Sequence, residues 1–293
     1  MWLILAFMSA ALLGCYDSFK KHALKGNAVI PVLFLNTLFM TIIFLPYILV
    51  SLPNWTWGEH KYIVLKALIV LSSWILGYFG MKHLPLTIVG PINATRPVMV
   101  LVGALLVFGE RLNVWQWVGV LLAVASFLLL SRSGKKEGID FKHDHWIYMI
   151  VGAAILGALS GLYDKYLMAP VESGGVGLDR MMVQSWYNIY QCVMMGVMLW
   201  LLWWPKHEQT TPFHWSWSIL GVSVFLSAAD FLYFYSLSLP DAMISIVSMI
   251  RRGSVVVSFG FGALIFHEQN LKAKTFDLAL VLLGLIFLYI GSR

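Results

Sequence analysis

Three arginines stand inside long apolar stretches of this chain: Arg96, and the adjacent Arg251 and Arg252. A guanidinium at the centre of a membrane span costs about 2.5–3.5 kcal/mol on insertion scales. Each must therefore face a polar cavity or a buried counter-charge rather than lipid. Arginine's planar fork meets carboxylate and phosphate oxygens two at a time. The chemistry on offer is capture of an anionic group between Arg96 and the Arg251–Arg252 pair. The alternative is internal pairing with Asp17, Asp164 or Asp230. Neighbouring residues on a helix point about 100° apart, so Arg251 and Arg252 do not serve one target equally.

The acids offer a second chemistry. Asp17 and Asp164 each close a Gly-x-Tyr-Asp sequence. A buried carboxylate can be poised to take a proton. Lys20, at i+3 from Asp17, offers a local salt bridge instead. Asp230 lies deeper, in Ala228-Ala229-Asp230-Phe231, and is the first choice for a coupling or charge-balancing group. Asn36 and Asn188 sit in apolar runs, where an amide must be hydrogen-bonded. They either line a cavity, with the arginines as substrate-binding residues, or bridge helices. Glu110 and Glu268, beside Arg111 and His267, fit fold-stabilising helix ends, because a glutamate at a helix C-terminus needs a local partner. His267-Glu268 lacks the second histidine of a zinc motif. Cys15 and Cys192 make no metal spacing. No metal, cofactor, catalytic triad or phosphate loop is called for, and an enzyme is not expected.

The elements that must position these residues follow from composition. Of 293 residues, 60% are apolar and 12% charged, against roughly 45–50% and 25% in soluble domains. A span takes about 20 apolar residues, which leaves little chain for anything else. That excludes a soluble enzyme, a nucleic-acid-binding module and a secreted disulfide scaffold. Apolar runs fall near 2–19, 30–50, 62–81, 86–108, 114–131, 146–168, 181–203, 215–236, 241–266 and 275–292, which predicts ten transmembrane helices. Tryptophans mark run ends at Trp55 and Trp57, Trp115 and Trp117, Trp203 and Trp204, Trp215 and Trp217, as an interfacial belt requires. No basic residue precedes Leu12-Leu13-Gly14-Cys15, so the first run reads as a span rather than a leader. Gly90-Pro91 and Pro97 bracket Arg96 and should break the fourth helix, freeing backbone to line a site. Around Arg251 and Arg252, Ser245, Ser248, Gly253 and Ser254 suit either a site or small-residue packing.

The two halves echo one another. Gly14-Cys-Tyr16-Asp17 matches Gly161-Leu-Tyr163-Asp164; Tyr78-Phe79, Leu84-Pro85 and Arg96 match Tyr233-Phe234, Leu239-Pro240 and Arg251. The stretches ending at Glu110 and Glu268 also correspond. Five spans per half is an odd number, so the second half enters from the opposite side. The expected architecture is an all-α integral membrane protein of two inverted five-helix repeats, 1–135 and 146–293, joined by a polar loop over 136–145. Such folds hold substrate near the midplane between the halves. Basic residues number 11 on the odd-numbered connections and 6 on the others, a modest bias placing both termini outside.

These paired motifs, above all the ends at Glu110 and Glu268, each opening on Gly-Ala-Leu and closing on Phe-x-Glu, resemble the EamA-type drug/metabolite transporter superfamily. The resemblance implies a secondary carrier with a central cavity and alternating access, set in a membrane that is the inner membrane of a bacterium. Arg96 and Arg251-Arg252 also look like the cationic site of plastid sugar-phosphate translocators, and Cys15-Tyr16-Asp17-Ser18-Phe19-Lys20-Lys21 resembles the first helix end of bacterial rhamnose–proton symporters. The expected function is transport of a small polar, anionic or zwitterionic metabolite. A proton-coupled neutral-sugar symporter, a lipid-linked flippase and a non-transporting scaffold are the alternatives. The implied partners are the small-molecule substrate, membrane lipid and a coupling proton, with no nucleic acid; a homodimer is left open.

Overall fold

A computed structural model of the chain describes residues 2–51, 56–100, 113–135, 141–168, 171–238, 247, 250–266 and 271–291. No strand occurs among them. The helices are α1 (Trp2–Leu24), α2 (Val29–Ser51), α3 (Trp57–His83), α4 (Leu86–Ala94), α5 (Val114–Lys135), α6 (His145–Met168), α7 (Arg180–Met198), α8 (Trp217–Ser238), α9 (Ser254–Leu264) and α10 (Leu271–Gly291). Residues 96–100 and 250–252 are helical as well. Among the described residues, α1, α2, α3, α6 and α10 carry stretches long and apolar enough to cross a membrane. Their outward faces keep large apolar side chains uncovered: Ile4 is 65% exposed and Leu49 59%. In water that surface would be unfavourable; against lipid it is the surface to expect.

The helix ends are fixed by local chemistry. Asp179 accepts a hydrogen bond from the Met182 amide at the start of α7, a side-chain cap. The Tyr47 hydroxyl donates to the same carboxylate at 3.1 Å, which ties the end of α2 to it. Asn113 and Gln116 exchange hydrogen bonds of 2.9 and 3.0 Å at the start of α5, a reciprocal box. The Asn113 amide also donates to the Gly291 carbonyl at 2.6 Å, closing the end of α10 onto α5.

Packing runs between the halves more than within them. α1 lies along α8, and α3 along α6; α2 pairs with α7, and α5 with α10. α1 and α6 also touch α9 and α4 respectively, and α4 touches α9. Each of these pairs turns into another of them, or into itself, when every helix is exchanged for the one five places away. The α1–α8 and α3–α6 seams are small-residue seams closed by serine. Ser9 donates to the Ala229 carbonyl at 2.6 Å, and Ser73 to the Ala153 carbonyl at 2.7 Å. In lipid, close approach and interhelical hydrogen bonds hold helices together, since lipid tails are as apolar as leucine.

Helices α1 and α3 are longer than the apolar runs that announce them, and this alters the charge count. Lys20 and Lys66 fall within these helices and are 7% and 4% exposed; Lys274, in α10, is fully buried and donates to Thr87 of α4 at 2.8 Å. All three had been counted as loop charges. Hydropathy averages over a window, so a lysine one turn inside a span is indistinguishable from one just outside it. Residues turned inward say nothing of orientation; without these three the two sides carry 9 and 5 basic residues, so the modest bias is essentially unchanged.

The closest approach in the bundle is at Gly14, where a Cβ would lie 2.3 Å from the Cβ of Val257 in α9. Its sequence counterpart, Gly161, has open space. Gly14→Ile should lower stability by roughly 1–3 kcal/mol through overpacking, read as a lower thermal midpoint in detergent. Gly161→Ala should leave that midpoint within about a degree, since no packing changes.

Candidate functional site

Two helices break beside the arginines. Pro97 has no amide proton, and its ring crowds the carbonyl four residues back, that of Asn93. The helix accordingly stops at Ala94, turns at Thr95 and resumes. The Thr95 hydroxyl takes up the Ile92 carbonyl at 2.7 Å. Arg96, just past the turn, donates to the Asn93 side-chain oxygen at 3.0 Å. On the other half the turn is at Gly253, one residue after Arg252, and its amide bonds the Ile250 carbonyl at 2.8 Å. A Cβ at Gly253 would meet that carbonyl at 2.9 Å, so the turn excludes a side chain there.

The breaks bring the charges together. Arg251 is ion-paired with Asp230 of α8, and its guanidinium sits 4.3 Å from the centre of the Tyr233 ring. Lys66 of α3 is ion-paired with Asp164 of α6. Lys20 lies 3.2 Å from Asp17, the local salt bridge its i+3 spacing offers, and 4.4 and 5.0 Å from the Tyr16 and Tyr78 rings. Asp17 also accepts from Ser258 of α9 at 3.1 Å. Arg96 and Arg252 make no ion pair among the described residues. They nevertheless feel one another, Arg251 and Asp17 electrostatically. The cluster thus sets five cations, Lys20, Lys66, Arg96, Arg251 and Arg252, against three carboxylates. Its excess of two positive charges sits on guanidiniums. Arg96 presses against α6 at Gly157, where a Cβ would come within 2.8 Å of the guanidinium carbon.

A second, uncharged zone adjoins the first. Asn36 of α2, Gln184, Ser185, Asn188 and Gln191 of α7, and Ser223 of α8 are completely buried. Asn36 accepts from Ser223 at 3.0 Å, so this asparagine does bridge helices. Asn188 donates to the Gln184 carbonyl at 2.9 Å on its own helix. Tyr187, on the same helix, lies within electrostatic reach of Asp230 and 5.7 Å from the Lys66 ammonium, and so connects this zone to the charged one.

Of the residues singled out by sequence, Arg96, Arg251, Arg252, Asp17, Asp164 and Asp230 gather in one electrostatic network, and Asn36 and Asn188 lie in the adjoining zone. Glu110 and Glu268 fall outside the described residues, as do Ser245 and Ser248. Sequence reasoning passed over Lys66, which looked like a loop charge, and Gln184 and Gln191. The latter had a signal: with Asn188 they fall at i, i+4 and i+7 in an apolar run, one face of a helix.

Removing one partner of a buried ion pair leaves the other charge unanswered, at about 3–5 kcal/mol. Asp230→Asn should therefore lower the thermal midpoint strongly, and adding Arg251→Met should recover most of the loss. Gly157→Ala should barely move that midpoint, because its clash is with the movable end of Arg96. It should still displace the guanidinium, read as loss of ligand-induced stabilisation.

Residues 1–132 match the family model described as EamA-like transporter family. An uncharacterized transporter of Archaeoglobus fulgidus is 27% identical over 137 residues, covering 45% of this chain and 49% of its own length. The chain's match thus spans about half the length of this curated relative. A solved structure, described only as the crystal structure of a protein, superposes with a TM-score of 0.68 at 12% identity, over 99% of this chain and 97% of that one. This likeness extends the shared fold across both halves. Residues 1–132, a little under half of the chain, are thus similar to EamA-like transporters, in agreement with the resemblance read from its motifs, and the apolar helices fit an integral membrane protein.

Proposed function

We propose that the protein is a secondary transporter that carries a small anionic or zwitterionic metabolite by alternating access between two inverted five-helix repeats. The observation that carries the reading is the pair of guanidiniums, Arg96 and Arg252, that no carboxylate answers among the described residues at the junction of α1, α4, α6 and α9. An excess of two part-buried positive charges is unfavourable on its own and is relieved by an anion. The helix breaks at Thr95 and Gly253 free backbone groups next to the same place, as in other carriers with discontinuous helices. The exchange relation among packed pairs supports the inverted repeat, and the break in each half supports ten spans.

In this mechanism Arg96 and Arg252 receive the anionic group. Arg251 is held by Asp230 until the ligand arrives and then shares its donors with it. Asp230, losing part of its partner, becomes the site where a coupling proton is taken up. Asp17 and Asp164, each held by a lysine, fix α1 and α6 to the cluster while the two halves rock.

The test is thermal stabilisation of the purified protein by a panel of organic acids, sugar phosphates, amino acids and neutral sugars. A ligand at 100 times its Kd stabilises by about 2.7 kcal/mol. An anion should raise the midpoint of the wild type, and Arg96→Gln should abolish that rise. Stabilisation by neutral sugars alone, unchanged in Arg96→Gln, would replace this reading with the sugar symporter.

A further inference from the structure

The uncharged zone beside the arginines has more hydrogen-bonding capacity than its own residues use. Among the described residues, the Gln184 and Gln191 side chains find no partner for either their oxygen or their nitrogen, and Asn36 Nδ2, Ser185 Oγ, Asn188 Oδ1 and Ser227 Oγ are also unpartnered. Five of these six residues are completely buried, and Ser227 is 4% exposed. Buried polar groups in proteins are almost always hydrogen-bonded, and in a bilayer no bulk water is at hand to answer them. A membrane helix that needed amides only to hold a neighbour would pair them with that neighbour. On α7 they instead form a row, Gln184, Asn188 and Gln191, on one face and about 10 Å long at 1.5 Å per residue.

The row is also aimed. Tyr187 lies beside this face, its ring 5.7 Å from the Lys66 ammonium and its hydroxyl within electrostatic reach of Asp230, the partner of Arg251. On α8, Ser223, Ser227 and Asp230 are spaced i, i+4 and i+7, so they share a face as well. The two faces lead from the charge cluster to Asn36 of α2, which Ser223 holds. A carboxamide donates with its nitrogen and accepts with its oxygen, and a serine does both with one group. Such groups match partners that also donate and accept at successive positions. Hydroxyls on consecutive carbons are that partner.

We propose that the amide row of α7, with Asn36 and Ser227, is the subsite for a hydroxyl-rich, uncharged portion of the transported molecule, whose anionic end sits at Arg96 and Arg252. This rests on the anion-carrier reading and narrows it to polyhydroxylated anions. In the conformation described the row is shut off from solvent, so the ligand reaches it when the halves rock open. A site built to bond hydroxyls rejects an analogue without them more strongly than an apolar pocket rejects one that has them, because the site's own polar groups are then left unanswered.

The experiment compares gluconate, hexanoate and sorbitol as ligands of the purified full chain, by isothermal titration and thermal shift. Gluconate and hexanoate share chain length and charge and differ in hydroxyls; sorbitol keeps the hydroxyls without the charge. Gluconate should bind at least tenfold more tightly than hexanoate. Gln191→Met and Gln184→Met should each cut that ratio several-fold, by weakening gluconate and relieving the penalty on hexanoate. Arg96→Gln should weaken both acids and leave sorbitol unaffected. Equal affinities for the two acids in the wild type would overturn the subsite without touching the anion site, and this comparison needs no variant to fold. A ratio that survives in both glutamine variants would overturn it too. If neither acid binds through Arg96, the anion reading falls, and sorbitol decides the subsite. Sorbitol binding that is lost in Gln191→Met would sustain it, and absence of sorbitol binding would overturn it.

Discussion

A positive charge taken out of water into an apolar bundle must be answered by the protein, because lipid offers nothing to answer it. Five such charges meet in this molecule, and much of its interior can be understood as the answer. Asp230 meets Arg251 across α8 and the break before α9; Asp164 meets Lys66 across the α3–α6 seam; Asp17 meets Lys20 within α1. Two of the three pairs join separate helices, so they also set which helices are neighbours. The two guanidiniums left over have a glycine, an asparagine side chain and each other for company. That imbalance separates a site from a scaffold. A purely structural network gains by neutrality, whereas a binding network gains by keeping charge in reserve.

The interior combines three kinds of attachment. Serines at the α1–α8 and α3–α6 seams reach carbonyls of the facing helix, and small residues let those backbones approach. Lysine–carboxylate pairs sit further in. The amides of α7 add a third kind, and each atom left without a partner there costs about 1–3 kcal/mol. A stable strut would not carry that burden, while a site that exchanges protein–ligand for protein–protein bonds does so in the unliganded state.

The architecture was legible where it depended on composition and register. Long apolar runs, tryptophans at their ends and the repeated Gly-x-Tyr-Asp and Leu-Pro steps all lie along the chain and need no third dimension. Asp17 with Lys20 was legible for the same reason, being one helical turn apart. Asp230 with Arg251 was half legible: each was visible as a charge within a span, but their pairing depends on how α8 lies against the neighbouring break. Lys66 with Asp164 was hidden, because the two lie 98 residues apart and nothing along the chain sets α3 against α6. Gln184 and Gln191 were hidden because the repeat, which pairs Asn188 with Asn36, puts Val32 and Phe39 at their places in the first half. Functional asymmetry between two similar halves is what a repeat search suppresses.

The pairing of Lys66 with Asp164 has a consequence for how the molecule is made. The partners are 98 residues apart in the chain, and at roughly 5–20 residues per second the carboxylate emerges about 5–20 seconds after the lysine. Ser9 waits longer, since its acceptor at Ala229 lies 220 residues on. During synthesis α1, α2 and α3 thus face the translocation machinery with donors that none of them can satisfy. The first half cannot complete these contacts on its own; they close only when its complement arrives. Interleaving the halves trades rapid, stepwise assembly for an interior that exists only once the whole chain has been delivered.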